Sequence, residues 1–336
     1  MAKPTLKIVI PMAGFGTRLR PHTWSRPKQL LRMAGKAVLD HVLDTFKTLP
    51  DPANVEYIFI VGYLGDKIEA HMKEKHPDFK VTYIEQTEMR GQSHAIALAR
   101  QHLHGPMLMV FADTLLETDL SFLSNEEAGG VAWIKPVPDP RRFGVAVLGQ
   151  DGWVTRLVEK PQEMDNNLAV VGFYYFQESE KLIAAIDEQI ARNIQLKGEF
   201  FLADAINIML ERGLRMRTKN VDVWLDAGTS QDLLSTNRYL LENGQDNSAE
   251  AARPNVVIIP PIYIHPTATV EYSVIGPYTT IGKGCHIQGC IARNAIVDDG
   301  AQVLDVIMED SLIGREAHIQ RRPSVINVGD QTALSL

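Results

Sequence analysis

From Ile264 onward the chain repeats itself about every six residues, and very few folds tolerate such a period. Large aliphatic side chains stand at Ile264, Val270, Ile275, Ile281, Ile287, Ile291, Val297, Val303, Ile307, Ile313 and Ile319, mostly six residues apart and sometimes four or five. A small residue follows four positions after many of them, at Ala268, Thr279, Cys285, Ala295, Ala301, Ser311 and Ala317, and Gly follows directly at Gly276, Gly282 and Gly314. A fixed short period marks a solenoid, in which each turn packs only on its neighbours. The large and small residues are expected to alternate inward, filling a narrow triangular cross-section. A β-sandwich alternates with period two and does not generate a six-residue repeat. Cys285 falls in a small inward slot, which makes it a packing residue rather than a reactive thiol.

This pattern resembles the left-handed parallel β-helix of hexapeptide-repeat proteins; residues 264–319 would supply about three coils at roughly 18 residues each. The chain before it reads differently. Leu6–Met12 is an apolar run ending in a Gly-rich turn, Glu56–Val61 and Met107–Phe111 read as buried strands, Val81–Ile84 as a strand, and Val38–Phe46, Ile68–Lys75 and His94–His102 carry helical spacing. This βαβα rhythm predicts a mostly parallel sheet with helices on both faces. Strand-like runs recur at Val131–Lys135, Val154–Val158 and Val170–Phe176, with helices near Ser179–Ala191 and Phe201–Arg212. A polar, Ala-rich stretch around Asn243–Arg253 separates the two patterns. The expected domains are residues 1–245, a linker at 246–259, and the β-helix at 260–336.

A net charge of −7 shows no basic excess to attract nucleic acid or an anionic membrane. Two cysteines cannot build a disulfide framework, and no apolar run approaches the roughly 18 residues of a membrane span. A cytoplasmic protein with no nucleic-acid or membrane partner is expected.

The Leu6–Met12 strand leads into Ala13-Gly14-Phe15-Gly16-Thr17-Arg18-Leu19-Arg20-Pro21, then Thr23 and Pro27-Lys28. Glycines let backbone N–H groups approach an anion, Arg offers a planar fork to phosphate oxygens, and Lys adds a point charge. Leu19 occupies the third-glycine position of the dinucleotide fingerprint, and no Gly-Lys-Ser/Thr follows, so neither a dinucleotide-binding nor a Walker loop fits. The whole string closely resembles the signature of the sugar-1-phosphate nucleotidylyltransferases, also called sugar-nucleotide pyrophosphorylases. That resemblance implies a Rossmann-like α/β nucleotidyltransferase domain with a mixed, mostly parallel sheet. It implies that Ala13 and Gly14 face the base, with Gly16 and Thr17 in the same nucleotide loop. Arg18 would bind the β- and γ-phosphates and Lys28 the α-phosphate. Arg32 and Ala37 depart from the family's usual continuation without removing a catalytic group.

Further matches follow the same order. Asp113, at the carboxyl end of an apolar strand, and Asp226, in Trp224-Leu225-Asp226-Ala227-Gly228-Thr229, resemble the family's two metal aspartates; Mg²⁺, a hard cation, suits oxygen ligands of this kind. Asp113 would thereby also contact the nucleotide. Gln86 and Gly91 resemble the base-reading Gln and the Gly on which a base lies flat, and an amide can donate to O4 and accept from N3–H of uracil or thymine. Gly144, Glu159-Lys160 and Val171-Gly172 resemble the sugar and sugar-phosphate segments, with Lys197 standing where some members carry an Arg before Gly198. Lys160 would be the cation for the sugar phosphate. His94 reads as a cap or packing residue.

The resemblance spans nearly the whole chain and, within the family, is greatest to long-form enzymes that pair dTTP with glucose 1-phosphate. The partners it implies are a nucleoside triphosphate and a sugar 1-phosphate, with Mg²⁺ as cofactor. UTP-dependent transfer to glucose or N-acetylglucosamine 1-phosphate stays open. A non-catalytic regulatory subunit would lack one of the charged groups retained here. A bifunctional acyltransferase would need a catalytic His in a recognisable loop insertion, which His265, His286 and His318 do not provide. The short solenoid has two exposed ends, so a homo-oligomer assembled through it is expected.

Overall fold

A computed structural model describes residues 4–322 and residue 328. The chain divides into two compact units, one built from residues up to Leu31 together with Lys36–Thr236, the other from Arg32–Gly35 and Asn237 onward.

The first unit is organised by a nine-stranded sheet. Its continuous order is Val154–Glu159, Gly144–Leu148, Leu168–Phe176, Met107–Val110, Leu6–Pro11, Val55–Val61, Val81–Glu85; Gly130–Pro136 branches from Leu168–Phe176 and carries Met216–Asn220. Where helices intervene, the strands run parallel: Leu6–Pro11 lies between Val55–Val61 and Met107–Val110, and consecutive residues of all three are buried, so both faces of the sheet are covered there. Between Phe111 and Phe176 the chain passes from strand to strand without long helices, and such links favour antiparallel neighbours; after the helices Ser179–Ala191 and Leu202–Glu211, Met216–Asn220 again pairs parallel. The sheet therefore holds four parallel and four antiparallel pairings, evenly mixed where the sequence pattern predicted a mostly parallel one.

Leu168–Phe176 is the strand on which the two halves meet. Its pairing with Gly130–Pro136 shifts register between Val170 and Tyr174, and this irregularity lets one strand serve three neighbours. Gly172 sits inside it at φ +74°, and a Cβ there would stand 2.2 Å from the Phe111 ring. Trp133 and Phe173 meet edge to face with centroids 4.7 Å apart, both buried, and the indole N–H donates to Thr118 Oγ1 at 2.9 Å.

In the second unit, among the described residues from Val256 to Gln320, the strand pairings are parallel and join residues 16 or 17 positions apart, from Val256↔Ser273 and Ile262↔Thr279 to Ile291↔Ile307 and Gln302↔His318. Ile264, Ile275, Ile281, Ile287, Val297 and Val303 are buried as expected, and so is Cys285. Ile291 and Ile307 are not: they are 41% and 68% exposed, and Ala292 and Met308 take the inward places beside them. Both deviants follow a step of four. An even step along an alternating strand keeps a face, but a corner lies between, so the phase is reset there. Arg32–Gly35 is part of this unit through the Ala34 N–H, which donates to Asn237 Oδ1 at 2.8 Å, and an Arg32–Asp299 ion pair at 2.8 Å. The expected 260–336 boundary ends among residues outside the described ones. Among the described residues no helix is long and apolar enough to cross a membrane.

Truncating Trp133 to Ala removes the largest fully buried side chain of the first unit's core, and is expected to cost about 3–5 kcal/mol. Urea unfolding should show the midpoint falling with an unchanged slope; a loss below about 1 kcal/mol would mean that the site collapses to fill the space.

Candidate functional site

The loop after Leu6–Pro11 is held from beneath. Ala13 is buried against Gly62, where a Cβ would meet the Ala13 carbonyl at 2.8 Å, while Gly14 is exposed with nothing within 4 Å of an added Cβ. Gly16 takes φ +61°, and its carbonyl accepts from the Thr23 hydroxyl at 2.9 Å and from the Leu19 N–H at 2.9 Å. The turn Thr17–Leu19 buries Leu19 and leaves Thr17 and Arg18 on the open side. Gly228 leaves room for the Arg18 guanidinium: a Cβ on it would lie 2.9 Å from Arg18 Nη2 and 3.0 Å from Asp226 Oδ1. Gly228 thus has a positioning role that sequence reasoning did not assign.

Asp113 and Asp226 come together through a short antiparallel ladder. Thr114–Leu116 pairs with Trp224–Asp226, Asp226 lies opposite Thr114, and the Ala227 N–H donates to the Asp113 carbonyl at 3.1 Å. Lys28, in the turn Lys28–Leu30, pairs its ammonium with Asp113 Oδ2. Burial opposes ionisation of Asp113, yet the Lys28 ammonium, by charge and by hydrogen bond, and Arg18 hold it below the usual carboxylate range. Asp226 is pushed up to about 6 by burial, then by repulsion from Asp113 and Asp232, against the weaker pull of Lys28 and Arg18. Arg18, Lys28, Asp113 and Asp226 therefore share one electrostatic environment. Two carboxylates this close, one held ionised and the other resisting ionisation, form an oxygen donor set that fits a hard divalent cation such as Mg²⁺.

On the base side Gln86 is buried, and its amide N–H donates to the Glu88 carbonyl at 3.0 Å. One of its two amide hydrogens is thus spent within the chain. Gly91 precedes the helix Gln92–Leu98 at φ +99°, and a Cβ would strike the Phe200 backbone, 2.5 Å from N and 2.6 Å from O. His94 on that helix has a buried Nδ1 with no hydrogen-bond partner among the described residues, and burial with the neighbouring Arg90 lowers its pKa.

On the sugar side Glu159 ends the strand Val154–Glu159, and its carboxylate oxygen lies 3.1 Å from where a Cβ on Gly144 would stand. Lys160 turns at φ +47°, places its ammonium 3.7 Å from Glu159 and 4.7 Å from the centre of the Phe201 ring, and donates its N–H to the Phe143 carbonyl at 2.9 Å. Burial, and repulsion from Asp204 and Glu199, raise the Glu159 pKa although Lys160 lowers it. The charge of Asp204, in the first turn of the helix Leu202–Glu211, joins it to this group. Val171 and Gly172 are buried in the long strand, and the Gly172 carbonyl accepts from the Phe111 N–H at 3.0 Å. Lys197 is exposed in the turn closed by Leu196 and Glu199, and it is Glu199 that interacts with Glu159.

A raised carboxylate pKa is a stability penalty. Asp226 costs nothing below its ordinary value of 3.8, where both folded and unfolded chains are protonated, and the cost grows to its full size above about 6. In EDTA, Asp226→Asn should therefore be the more stable protein at pH 7–8, by about 3 kcal/mol, with the advantage vanishing below about pH 4. Thermal unfolding from pH 4 to 8 checks this; a variant less stable than wild type at pH 7–8 would show that Asp226 is not held against repulsion.

Residues 7–243 match the model of the family described as "Nucleotidyl transferase". Among curated proteins the chain is 28% identical to glucose-1-phosphate thymidylyltransferase of Streptomyces griseus, over 95% of each chain. It is 30% identical to the low-salt glycan biosynthesis nucleotidyltransferase Agl11 of Haloferax volcanii, over 94% of each. Among solved structures, that of a glucose-1-phosphate thymidylyltransferase assignment from Bacillus anthracis, in complex with sucrose, aligns with a TM-score of 0.59 at 26% identity, covering 70% of this chain and 94% of that one. The match extends over more than half of the chain and takes in every charged residue of the site, and the chain belongs to the nucleotidyl transferase family.

Proposed function

We propose that the chain transfers a nucleotidyl group from a pyrimidine nucleoside triphosphate to a sugar 1-phosphate, with dTTP and glucose 1-phosphate as the favoured pair. The observation that carries this reading is the grouping of Arg18 and Lys28 with Asp113 and Asp226, around a loop whose Gly14 face is open. The sugar-phosphate oxygen attacks the α-phosphorus, a new P–O bond forms, and the bond to the β-phosphate breaks with its electron pair leaving on pyrophosphate. No covalent enzyme intermediate is required, so the protein's work is positioning and charge neutralisation. Arg18 neutralises the departing β- and γ-phosphates. Lys28 exchanges its Asp113 partner for the α-phosphate, and Lys160 holds the sugar phosphate while Glu159 accepts from sugar hydroxyls. Gly144, Val171, Gly172 and Lys197 belong to the same sugar-side reading. Mg²⁺ bound by Asp113 and Asp226 would supply positive charge at the transferring phosphate.

Gln86, Gly91 and the loop residues Ala13, Gly14, Gly16 and Thr17 are assigned to the nucleotide. The buried Gln86 amide favours a pyrimidine over a purine but does not separate thymine from uracil, so UTP is the second reading. Wild type is expected to use dTTP or UTP far better than GTP, and Gln86→Ala to erode that preference about tenfold. Asp113→Asn and Asp226→Asn should each lower kcat by about 100-fold or more with the fold retained. Pyrophosphate release, measured over a panel of triphosphates at saturating Mg²⁺, reads both. Equal use of GTP by wild type overturns the base assignment, and near-normal turnover by both Asn variants overturns the metal assignment.

The second unit is read as a left-handed parallel β-helix that assembles the enzyme into a homo-oligomer. In support, Val257, Val274, Ile291 and Ile307 stand in register on successive strands, and Val257, Ile291 and Ile307 are 57%, 41% and 68% exposed. A continuous apolar column on a sheet face is a natural surface for a second copy. Ile291→Lys with Ile307→Lys should convert the assembly to monomer by light scattering while leaving nucleotidyl transfer measurable. A wild-type monomer would remove the assembly role.

A further inference from the structure

Outside the site described above, one set of side chains brings three metal-ligating atoms to a point. Asp40, on the helix Val38–Asp44, accepts at a single oxygen, Oδ1, from His71 Nε2 at 2.7 Å and from His76 Nε2 at 2.9 Å. The three ligand atoms lie within 4.8 Å of one another, and among the described residues no other three His, Cys, Asp or Glu side chains meet this way. All are largely covered, with side chains 16%, 13% and 22% exposed for Asp40, His71 and His76.

The convergence depends on a break in regular structure. His71 lies within the helix Gly65–Lys75, and His76 lies five residues further on. On an unbroken helix, positions five apart point about 140° away from each other. His76 leaves the helix at φ −134°, ψ 55°, with its N–H still bonded to the Met72 carbonyl at 2.8 Å, and this turn brings its ring back to Asp40. The other Asp40 oxygen accepts from the Ala37 N–H at 3.2 Å, which fixes the carboxylate plane. Burial opposes ionisation of Asp40, but the two imidazoles and the Ala37 amide overcome it, so the carboxylate is kept charged.

We propose that Asp40, His71 and His76 bind a zinc-type divalent ion, separate from the Mg²⁺ pair, that ties the Val38–Asp44 helix to the end of the Gly65–Lys75 helix. Two imidazoles and one carboxylate select borderline ions such as Zn²⁺ or Co²⁺ over Mg²⁺, which prefers oxygen alone. Ligand distances of about 2.0–2.2 Å around a tetrahedral ion place donor atoms roughly 3.3–3.6 Å apart. The present 2.7 and 2.9 Å spacings thus need to open by about 0.4–0.9 Å, within the reach of side-chain rotation. His76 also lines a cleft of about 380 Å³ with Asp44, Lys47, Asp78 and Lys80.

The test uses full-length Asp113→Asn/Asp226→Asn protein, so that the catalytic carboxylates contribute no metal. Titrated with Co²⁺, it should develop visible d–d absorption saturating at one equivalent, and Zn²⁺ should displace the Co²⁺ and raise Tm by several degrees. Adding His71→Gln and His76→Gln should abolish the absorption and the Tm shift. His76→Gln alone, at the helix end, provides the same comparison with less risk to folding, and is expected to weaken Co²⁺ binding at least tenfold. No stoichiometric Co²⁺ spectrum in the parent protein, or uptake unchanged in either His variant, would overturn the proposal and leave a hydrogen-bonded helix joint.

Discussion

Asp113 and Asp226 stand side by side in a partly dry environment, and the charge they carry sets what can surround them. Left to themselves they repel, and that repulsion adds to burial in raising the pKa of Asp226. Lys28 and Arg18 oppose it from two separate segments of one loop, and Gly228 must lack a side chain so that Arg18 can come close enough. The loop that carries Arg18 and Lys28 and the second carboxylate strand are thus fitted to each other, although about two hundred residues separate them in sequence. The same arrangement suits chemistry in which two anions have to meet. Under the proposed function, the cations that neutralise carboxylates in the free protein would be those that receive the incoming phosphates.

The sheet supplies the geometry for this. Its parallel half ends in the loops that carry Ala13 to Lys28 and Asp113, and its antiparallel half carries Gly144, Glu159 and Gly172. Leu168–Phe176 joins the halves, and its irregular register with Phe111 packed on Gly172 fixes their relation. A ligand site at the carboxyl ends of parallel strands is the general expectation for open α/β sheets.

Much of this was legible in the sequence, for local reasons. The loop from Ala13 to Lys28 is contiguous, so its chemistry can be read without a fold. The strands at Leu6, Val55 and Met107 announce themselves as apolar runs because they are covered on both faces. The meeting of Asp113 with Asp226 was not visible from spacing: Thr114–Leu116 and Trp224–Asp226 are three residues each, too short for any periodicity, and only the resemblance joined them. The facing of Ile291 and Ile307 was misread because an aliphatic count ignores corners. Asp40 with His71 and His76 escaped notice because their convergence requires the helix to stop at His76, which no periodic pattern announces. Gly91 was read for a flat base; the structural reason for it is the Phe200 backbone, which leaves no room for a Cβ.

The pairing offset in the second unit also says where the chain tolerates a change in length. Val274 pairs 17 residues ahead with Ile291, but Thr280 pairs 16 ahead with Ile296, so one residue has been lost between the two positions. It was lost at a corner. Gly276, Pro277 and Tyr278 separate two strands on one level, whereas on the next the strand Ile291–Val297 runs through, turning at Asn294, whose φ is +41° and whose amide donates to Asp310 at 2.5 Å. A deletion on a flat face would exchange inside for outside all the way to the next corner. At a corner it is absorbed within one turn. Corners are therefore the places where such a sequence can drift in length and still stack, and faces are where its spelling is held.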